Sequence, residues 1–282
     1  MIKSIHQETG HSIRRICETL GLPRSSFHHA AKPTPTQLDD QKLGDQIEEI
    51  FKEHRGRYGY RRIYEELSDR DVQCCHDRVR RLMKERGLRA IQPKTFAPTT
   101  SDGRADSPSE NLVASQPFPE SPNEILAGDI TYIRTTTGWL YLAIVIDICS
   151  RRVVGWALAD HMRADLVVAA LEQALGSTKK VAGRIFHSDR GSQYGSKLFR
   201  KLLKKAGMLQ SMSARANPYD NAWTESMIGT LKAEMVREGV FEDEEEARPK
   251  LFAYLDCYYN TNRKLSSLGY PTPSEFEENT NI

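Results

Sequence analysis

HSDRGSQY at residues 187–194 and NPYDNAWTES at residues 217–226 are the two motifs from which the fold is inferred. The apolar run GRIFHS that leads into the first motif predicts a strand, and Asp189 follows directly at its end. Around Glu225, the small residues Ala222, Ser226, Gly229 and Ala233 recur at three- and four-residue steps, and Glu225 and Lys232 are seven residues apart. This spacing predicts a helix. Glu225 and Lys232 are seven positions apart, so this helix presents both side chains on one face.

A third acidic residue lies upstream, in a predicted β-hairpin. The sequence ILAGDITYI at residues 125–133 predicts a strand with Asp129 in its middle, and WLYLAIVID at residues 139–147 predicts the next strand after a turn. The second strand is apolar on both faces, so we expect it to be central and buried. Asp129 would then be partly buried, which is unfavourable unless its carboxylate is paired or binds a metal.

Asp129, Asp189 and Glu225, with thirty-five residues between the last two, resemble the acidic triad of the DDE transposases and retroviral integrases. The motifs DITYI, GWLYL, DICSRRVVGW, HSDRGSQY and NPYDNA are similar to those of the catalytic second-reading-frame product of bacterial insertion sequences. The similarity extends over nearly the whole chain. It implies a ribonuclease H-like α/β core, with a five-stranded mixed sheet and helices, preceded by all-α helix-turn-helix units.

Three carboxylates suit the chemistry of phosphodiester cleavage. Two divalent ions about 3.5 to 4 Å apart can stabilise both the attacking and the leaving oxygen, and Mg²⁺ prefers oxygen ligands. The resemblance implies that Asp129 bridges two Mg²⁺ ions while Asp189 and Glu225 each complete one site, and Mn²⁺ can substitute. Lys232 would then hold a DNA phosphate near the metals.

Each of these acidic residues also has a purely structural interpretation. Asp189 alone could be a turn residue, and Glu225 alone could be a solvated helix residue. Asp147, at the end of the second strand, competes with Asp129, but the polar residues after it favour a turn cap or a salt bridge. His187 could assist the metals, contact DNA, or simply be packed and hydrogen-bonded. The joint pattern, rather than any one residue, favours the catalytic interpretation.

Positive charge is local in this chain. The formal net charge of the 282 residues is only +2. Residues 51–100, however, contain thirteen Lys and Arg against seven Asp and Glu. A local excess of this kind is typical of nucleic-acid binding, and we expect double-stranded DNA as the partner.

Cysteine usage and hydropathy restrict the compartment. The five cysteines show no paired spacing, which argues against a disulfide framework. Adjacent residues such as Cys74, Cys75 and His76 cannot close a tetrahedral site, so we expect no zinc. Neither a signal peptide nor an apolar run of membrane-spanning length is found. We therefore expect a cytoplasmic bacterial protein without membrane contact, nucleoid-associated when bound to DNA.

Two helical units are predicted upstream of the core. Residues 1–32 predict a helix-turn-helix in which Ser12 caps the first helix and Arg24, at the start of the second, contacts DNA. A plain two-helix hairpin explains these residues equally well. Residues 39–95 predict a second helix-turn-helix-like DNA-binding domain, for which a solvated charged face is the alternative. Its predicted DNA contacts are Arg57, Arg61, Arg62, Arg78 and Arg81.

The remaining chain divides into a linker, a core and a tail. Residues 96–123 are rich in Pro, Ser, Thr and Asp and predict a linker. Residues 124–239 predict three antiparallel strands followed by alternating helix and strand, which fits a ribonuclease H-like integrase core. Within the core, Arg215 and Asn217 lie in a loop that either contacts DNA or caps the following helix. Residues 240–282 predict a helical C-terminal tail.

Three positions depart from the pattern of the resembled family. Leu126 stands where a tryptophan is usual, and Leu265 stands where a histidine is usual. Pro249 falls inside a predicted helix, which should therefore start late or kink. These departures concern the tail and the strand before Asp129, and none of them alters the triad.

The sequence thus predicts a Mg²⁺-dependent transposase that binds the terminal inverted repeats of an insertion sequence. It would cleave one strand and join the released 3′ hydroxyl to target DNA. The resemblance implies a circular intermediate, a homo-oligomer on DNA and a DNA-binding partner from an upstream reading frame. Two alternatives stay open: a non-catalytic regulator derived from a transposase, and a ribonuclease H-type nuclease acting on RNA hybrids.

Overall fold

The computed structural model describes most of the chain, namely residues 2–23, 34–92, 108–114, 116–177, 181–214, 218–235 and 241–280. Within these ranges the α-helices are α1 Ile2–Thr9, α2 Ile13–Thr19, α3 Pro35–Glu53, α4 Tyr60–Asp69, α5 His76–Glu85, α6 Ala164–Ser177, α7 Lys197–Ala206, α8 Ala222–Glu234, α9 Glu244–Tyr254 and α10 Pro273–Thr280. The strands are β1 Ile125–Arg134, β2 Trp139–Asp147, β3 Val153–Ala159, β4 Ile185–Ser188 and β5 Leu209–Met212. None of the described helices is both long and apolar enough to cross a membrane.

The five strands form one mixed sheet in the order β3-β2-β1-β4-β5. β1 and β2 pair antiparallel with Asp129 opposite Ile144, and β3 is antiparallel to β2. β4 lies parallel to β1 with Gly128 opposite Ser188, and β5 lies parallel to β4. This topology confirms the predicted ribonuclease H-like sheet of three antiparallel strands followed by two parallel ones.

Helices cover both faces of the sheet. On one face, α6 and α7 pack on a buried cluster that includes Leu126 and Phe186. The approach of α6 to β3 is close, because a Cβ on Gly155 would lie 2.2 Å from the carbonyl oxygen of Ala170. On the other face, α8 and α9 contribute to a second cluster, in which Leu231 is fully buried. The sheet is therefore the middle layer of three.

The helices α3, α4 and α5 form a separate small core. Thr34 starts α3 with a capping box: its hydroxyl accepts from the backbone N–H of Gln37, whose side chain accepts from the Thr34 N–H. Upstream, Ser12 caps α2 by accepting from the Arg15 N–H, as predicted. The helix that Arg24 was predicted to begin lies outside the described residues. The buried residues of the small core are Leu43, Ile47, Ile50, Tyr58, Ile63, Leu67, Val79, Leu82 and Met83.

This helical unit docks on the C-terminal tail. The hydroxyl of the fully buried Tyr58 donates to the Asn262 carbonyl and accepts from the Lys264 N–H, both at 2.8 Å. Arg62 Nε donates to the Lys264 carbonyl at 2.8 Å. The beginning of α4 and the turn before it are thus tied to residues about 200 positions later in the chain.

Part of the segment predicted as a linker runs beside β5. The Leu112 N–H donates to Ser211 Oγ, and Asn111 Nδ2 donates to an Asp220 carboxylate oxygen, both at 2.9 Å. The chain is therefore held at the edge of the sheet before it enters β1.

The tail begins with α9, which Asp243 caps by accepting from the Glu246 N–H at 2.9 Å. Of the two expectations for this helix, a late start or a kink, the late start is wrong, because α9 begins at Glu244 and contains Pro249. The cap and the acidic first turn favour helix formation ahead of the proline. The helix continues into a π-helical turn, Leu255–Tyr259, and α10, which the sequence did not predict, follows.

Candidate active site

Asp129 lies in the middle of β1, half-buried at the centre of the sheet. Its Oδ1 accepts from the backbone N–H of Ile130 at 2.7 Å. Burial, and next the negative charge of Asp189, raise the pKa of the Asp129 carboxyl to about 7. Glu225 adds to this shift and the Lys232 ammonium opposes it. The four side chains predicted to form the site therefore act on one another electrostatically.

Asp189 follows β4, directly after the residue that pairs with Gly128. Because β1 and β4 are adjacent and parallel, this register brings Asp189 beside Asp129. Its Oδ1 accepts from the Gly191 N–H at 2.9 Å, and burial raises the pKa of the carboxyl. Asp189 thus caps a turn, as its structural interpretation proposed, while facing a second carboxylate.

Glu225 lies in the first turn of α8, half-buried, and burial raises the pKa of its carboxyl. The start of α8 is held against β1, because the buried Asn221 side chain donates through Nδ2 to the Gly128 carbonyl at 3.4 Å. Asn221 belongs to the NPYDNA motif. Its contact with Gly128, the residue before Asp129, holds the start of α8, and with it Glu225, beside β1.

Lys232 lies two turns after Glu225 and is half-buried. Burial lowers the pKa of its ammonium group, and the nearby Asp129 charge opposes that shift. Lys232 Nζ lies 4.4 Å from the centre of the Tyr132 ring. Tyr132 and Trp139 are 58% and 51% exposed and pack edge to face, with ring centres 5.3 Å apart. The sequence analysis did not identify this exposed aromatic pair as part of the site.

The donor set fits hard divalent cations. Two aspartates and a glutamate offer only carboxylate oxygens, and burial raises the pKa of each; at Asp129 the charges of the other two acids add to that effect. In the part of the chain that the structure describes, no group of three or more His, Cys, Asp or Glu side chains is close enough to hold a metal as the side chains stand. Joint coordination therefore requires the carboxylate side chains to move closer together.

Asp147, the competitor of Asp129, has a structural role. It is fully buried. Its Oδ1 accepts from the Ser150 N–H at 2.7 Å and from the Ser150 hydroxyl at 3.0 Å, and its Oδ2 accepts from the Asn123 N–H. Asp147 is thus the cap of the turn after β2, as its position predicted.

His187 is fully buried in β4. Its Nδ1 lies 2.8 Å from Ser211 Oγ and its Nε2 lies 3.2 Å from Ser213 Oγ. Burial lowers the pKa of the imidazole to about 4, so the ring is neutral near pH 7. Both ring nitrogens are occupied by hydroxyl groups, which is the packed, hydrogen-bonded alternative for this residue.

Two of the arginines predicted to contact DNA face the protein. Arg57 is only 5% exposed, and its guanidinium lies 5.1 Å and 4.5 Å from the ring centres of Tyr254 and Tyr258. Arg62 is half-buried and bonds to the backbone of Lys264. In this arrangement both side chains hold the helical unit on the tail.

The other predicted arginines lie on the outer surface. Arg78 pairs with Asp39 at 2.6 Å and with Asp40 at 2.8 Å, and Arg81 pairs with Asp40 at 2.7 Å. Arg61 is exposed and stacks on the neighbouring tyrosine. The remaining predicted contacts, Arg24, Arg215 and Asn217, lie outside the described residues.

Three family models match the chain. Residues 119–218 match an Integrase core domain, residues 206–273 match a second model of the same description, and residues 37–96 match an HTH-like domain. The first two models together cover the sheet, α8 and most of the tail. The third covers the small helical unit.

Named relatives match along most of their length. The transposase for insertion sequence element IS904 of Lactococcus lactis is 38% identical over 247 residues, 88% of this chain and 98% of the relative. Transposase InsF for insertion sequence IS3A of Escherichia coli is 35% identical, covering 94% of both chains. The insertion element IS600 31 kDa protein of Shigella sonnei is 35% identical over 93% of this chain and 97% of the relative.

The chain therefore belongs to the insertion-sequence transposases that carry an integrase core domain, a class of polynucleotidyl transferases. Solved structures are more distant. The HTLV-2 integrase catalytic core domain in complex with magnesium is 15% identical with a TM-score of 0.42, covering 56% of this chain and 98% of that chain. A simian T-cell lymphotropic virus intasome has 15% identity and a TM-score of 0.46, covering 72% of this chain and 67% of that chain.

Proposed function

We propose that Asp129, Asp189 and Glu225 form the catalytic site of a DDE transposase. The chain would bind the terminal inverted repeats of its element, cleave one DNA strand and transfer the 3′ end to target DNA. The observation that carries this proposal is the parallel register of β1 and β4, which sets Asp189 beside Asp129, together with the effect of the Asp189, Glu225 and Lys232 charges on the pKa of Asp129. A shared pKa perturbation of this kind is typical of residues arranged for chemistry rather than for solvation.

Divalent metal is the cofactor that this donor set favours, and we propose two Mg²⁺ ions, with Mn²⁺ as a substitute. Bound ions would stabilise the attacking and leaving oxygens of an in-line displacement at phosphorus. Asp129, coupled to both other acids, would be the shared ligand, and Asp189 and Glu225 would each hold one ion. The same cations would relieve the repulsion that raises the pKa of Asp129.

Two displacements would follow at this site. In cleavage, water attacks the phosphorus and the 3′ oxygen leaves as a hydroxyl. In strand transfer, that hydroxyl attacks a target phosphodiester and the target's own 3′ oxygen leaves. Lys232 would hold a phosphate oxygen next to the acids; its ammonium lies 4.4 Å from the centre of the exposed Tyr132 ring and is influenced by the charge of Asp129, which supports this role.

DNA recognition would involve the N-terminal units. Arg78 and Arg81 on α5 would contact phosphates by exchanging their Asp40 partner for DNA, and Arg61 is already exposed. Arg57 and Arg62 would act through docking the unit on the tail. We keep Arg24, Arg215 and Asn217 as proposed DNA contacts.

The domain division and the partners follow from the same proposal. The units are residues 1–32, 39–95, the linker 96–123, the core 124–239 and the tail 240–282. The transposase would act as a homo-oligomer on DNA, with an upstream-reading-frame DNA-binding protein as a further partner. Its place would be the bacterial cytoplasm, on the nucleoid when DNA is bound.

Strand cleavage and joining on a labelled duplex that carries the element's own end, with Mg²⁺, tests the proposal. The wild-type chain is compared with Glu225→Gln and with Glu172→Gln, which removes an exposed carboxylate from α6. Both variants should bind the duplex, but only Glu172→Gln should cut and join. If Glu225→Gln cuts at the wild-type rate, the assignment of the site is wrong. If the wild type binds yet never cuts, with the upstream partner present, the regulator interpretation replaces it.

A further inference from the structure

A cavity of 260 Å³ lies beside α8, away from the acidic residues. One wall is formed by α8, and the others by the turn after β2, the start of α4 and the tail. Its lining includes Arg62, Arg151, Arg263, Trp223, Ser226 and Thr230. Each of the three arginines comes from a different part of the chain: the helical unit, the core and the tail. We call this space the arginine cavity.

The arginine cavity gathers three guanidinium groups, and the charges of Glu234 and Asp147 act on Arg62 and Arg151 only from beyond ion-pair distance. Arg263 is paired with Glu234 at 2.6 Å. Arg62 and Arg151, in contrast, form no ion pair with a carboxylate of the described residues, and no acidic residue is among the described residues that line the cavity. Burial lowers the pKa of both guanidinium groups, and Arg263 further lowers that of Arg62. Such an environment favours an anion.

The position of Arg151 is fixed by its surroundings. Its backbone φ is +62°, a left-handed conformation that is uncommon for a residue with a side chain. The guanidinium lies 5.5 Å from the centre of the Phe118 ring and 5.9 Å from that of Trp223. The aromatic contacts hold the cation at the cavity while leaving it without a carboxylate. The Ser226 hydroxyl on α8 adds a donor on the same side, while the Thr230 hydroxyl already donates to the Ser226 carbonyl at 2.9 Å.

We propose that the arginine cavity binds a backbone phosphate of the DNA on which the transposase acts. The proposal rests on the proposed function, because it places DNA along α8. Ser226 follows Glu225 directly, so the cavity and the acidic site occupy neighbouring faces of one helix. A strand that presents one phosphate to the acids could present another to the cavity. Guanidinium groups match phosphate oxygens in geometry and charge.

This site would also couple DNA binding to the docked arrangement. Arg62 reaches the cavity only because the helical unit is held on the tail through Tyr58 and Lys264. A phosphate bound by Arg62, Arg151 and Arg263 would join all three parts of the chain. DNA would therefore stabilise the docked state, and losing one of the cavity arginines would weaken DNA binding without touching the acidic site.

Thermal unfolding of the full chain with increasing inorganic phosphate is the first test. The wild-type midpoint should rise with phosphate and should not rise with sodium chloride at equal ionic strength, because a ligand of the native state stabilises it. Arg151→Gln should abolish the response. Arg163→Gln is the matched control, since Arg163 is 69% exposed and lies ahead of α6, outside the cavity lining. It should respond like the wild type.

DNA affinity, measured by fluorescence anisotropy without divalent metal, is the second test. Arg151→Gln, and Ser226→Asp, which places a carboxylate among the arginines, should each weaken binding about tenfold and reduce the salt slope by about one phosphate contact. Arg163→Gln should change neither. Because no cleavage is involved, this result is independent of whether the acidic site cuts DNA.

The two tests together decide the proposal. A phosphate response lost in Arg151→Gln, together with weakened DNA binding, supports it. A phosphate response without any loss of DNA affinity would show a site for free phosphate and would overturn the assignment to DNA. Equal behaviour of Arg151→Gln and Arg163→Gln in both measurements would overturn the site itself.

Discussion

The three acids Asp129, Asp189 and Glu225, which we call the acidic cleft, and the arginine cavity lie on neighbouring faces of α8 and have opposite charge. At Glu225 the helix faces two aspartates, and carboxyl pKa values are raised. At Ser226 it faces arginines, and guanidinium pKa values are lowered. In both places like charges are gathered in a partly buried space without enough partners of opposite sign. This comparison underlies both proposals: cations would bind in the cleft, and an anion would bind in the cavity.

Asp129→Asn should have the largest effect, because it removes the shared carboxylate from the cleft. We expect strand cleavage to fall about a thousand-fold, equivalent to about 4 kcal/mol of transition-state stabilisation. DNA affinity should be unchanged, since the arginine cavity is intact. Single-turnover cleavage measures the first and anisotropy the second. Asp165→Asn, an exposed aspartate on α6, is the control and should cut normally.

Gly128→Ala tests how tightly the acidic cleft is built. A Cβ at this position would lie 2.6 Å from Phe186 Cζ, and Phe186 is fully buried. We expect a loss of about 2 to 3 kcal/mol in the free energy of unfolding, measured in urea. Gly229→Ala on α8, where nothing lies within 4 Å of the added atom, should stabilise the chain by about 0.5 to 1 kcal/mol. Equal effects of the two variants would argue against close packing behind Asp129.

Acidification should weaken the docking of the helical unit on the C-terminal tail, which positions Arg62 at the arginine cavity. His54 is 8% exposed and stacks on Tyr58 with ring centres 3.7 Å apart. Burial lowers the pKa of this histidine to about 4. The unfolded histidine has a pKa of about 6.5. The contribution of His54 to the free energy of unfolding is therefore fully present above pH 6.5 and is lost as the pH falls toward 4.

The expected loss is on the order of 2 to 3 kcal/mol between pH 6.5 and 4, because the pKa of about 4 in the folded protein lies well below that of the unfolded histidine. Urea unfolding across this range measures it. His54→Phe keeps the stacking and cannot be protonated, so its stability should depend less steeply on pH. If the unfolding free energy of His54→Phe depended on pH as steeply as that of the wild type, His54 would not be the group responsible for the pH dependence.

Lys232→Gln should have the smallest effect of the four. It removes one cation from the edge of the cleft, where Lys232 lies beside Tyr132. We expect about a tenfold decrease in cleavage at low DNA concentration, or about 1.4 kcal/mol, largely recovered at saturating DNA. Lys205→Gln, at the exposed end of α7, should change the rate little. A rate loss that persists at saturation would place Lys232 in the chemical step instead.

The strands of the sheet could be predicted because local patterns encode them, whereas the grouping of the three acids into one proposed site came from the resemblance to the DDE transposases. Alternating and apolar runs mark β1, β2 and β4, and Asp129 and Asp189 keep fixed positions relative to those strands. Asp147 could be assigned a structural role, unlike Asp129, because the polar residues that follow it are typical of a turn. The parallel pairing of β1 and β4, which brings the two aspartates together, follows from the predicted fold class.

The roles of the arginines could not be predicted in the same way. Arg57 and Arg62 have the same local sequence signal as Arg61, yet they face the tail because Tyr58 binds a segment 200 positions away. The arginine cavity unites residues 62, 151 and 263, and no local pattern links them. The late start expected from Pro249 was wrong because of a local feature: the cap at Asp243 starts α9 ahead of the proline.

Anomalous diffraction from crystals of the full chain soaked in Mn²⁺ tests the central claim most directly. We predict anomalous peaks within coordination distance, about 2.0 to 2.2 Å, of the carboxylate oxygens of Asp129 and Asp189, with the Glu225 side chain turned toward them. Crystals of Asp129→Asn should lose these peaks. A metal bound elsewhere, with the three carboxylates still apart, would contradict the assignment of the acidic cleft as the catalytic site.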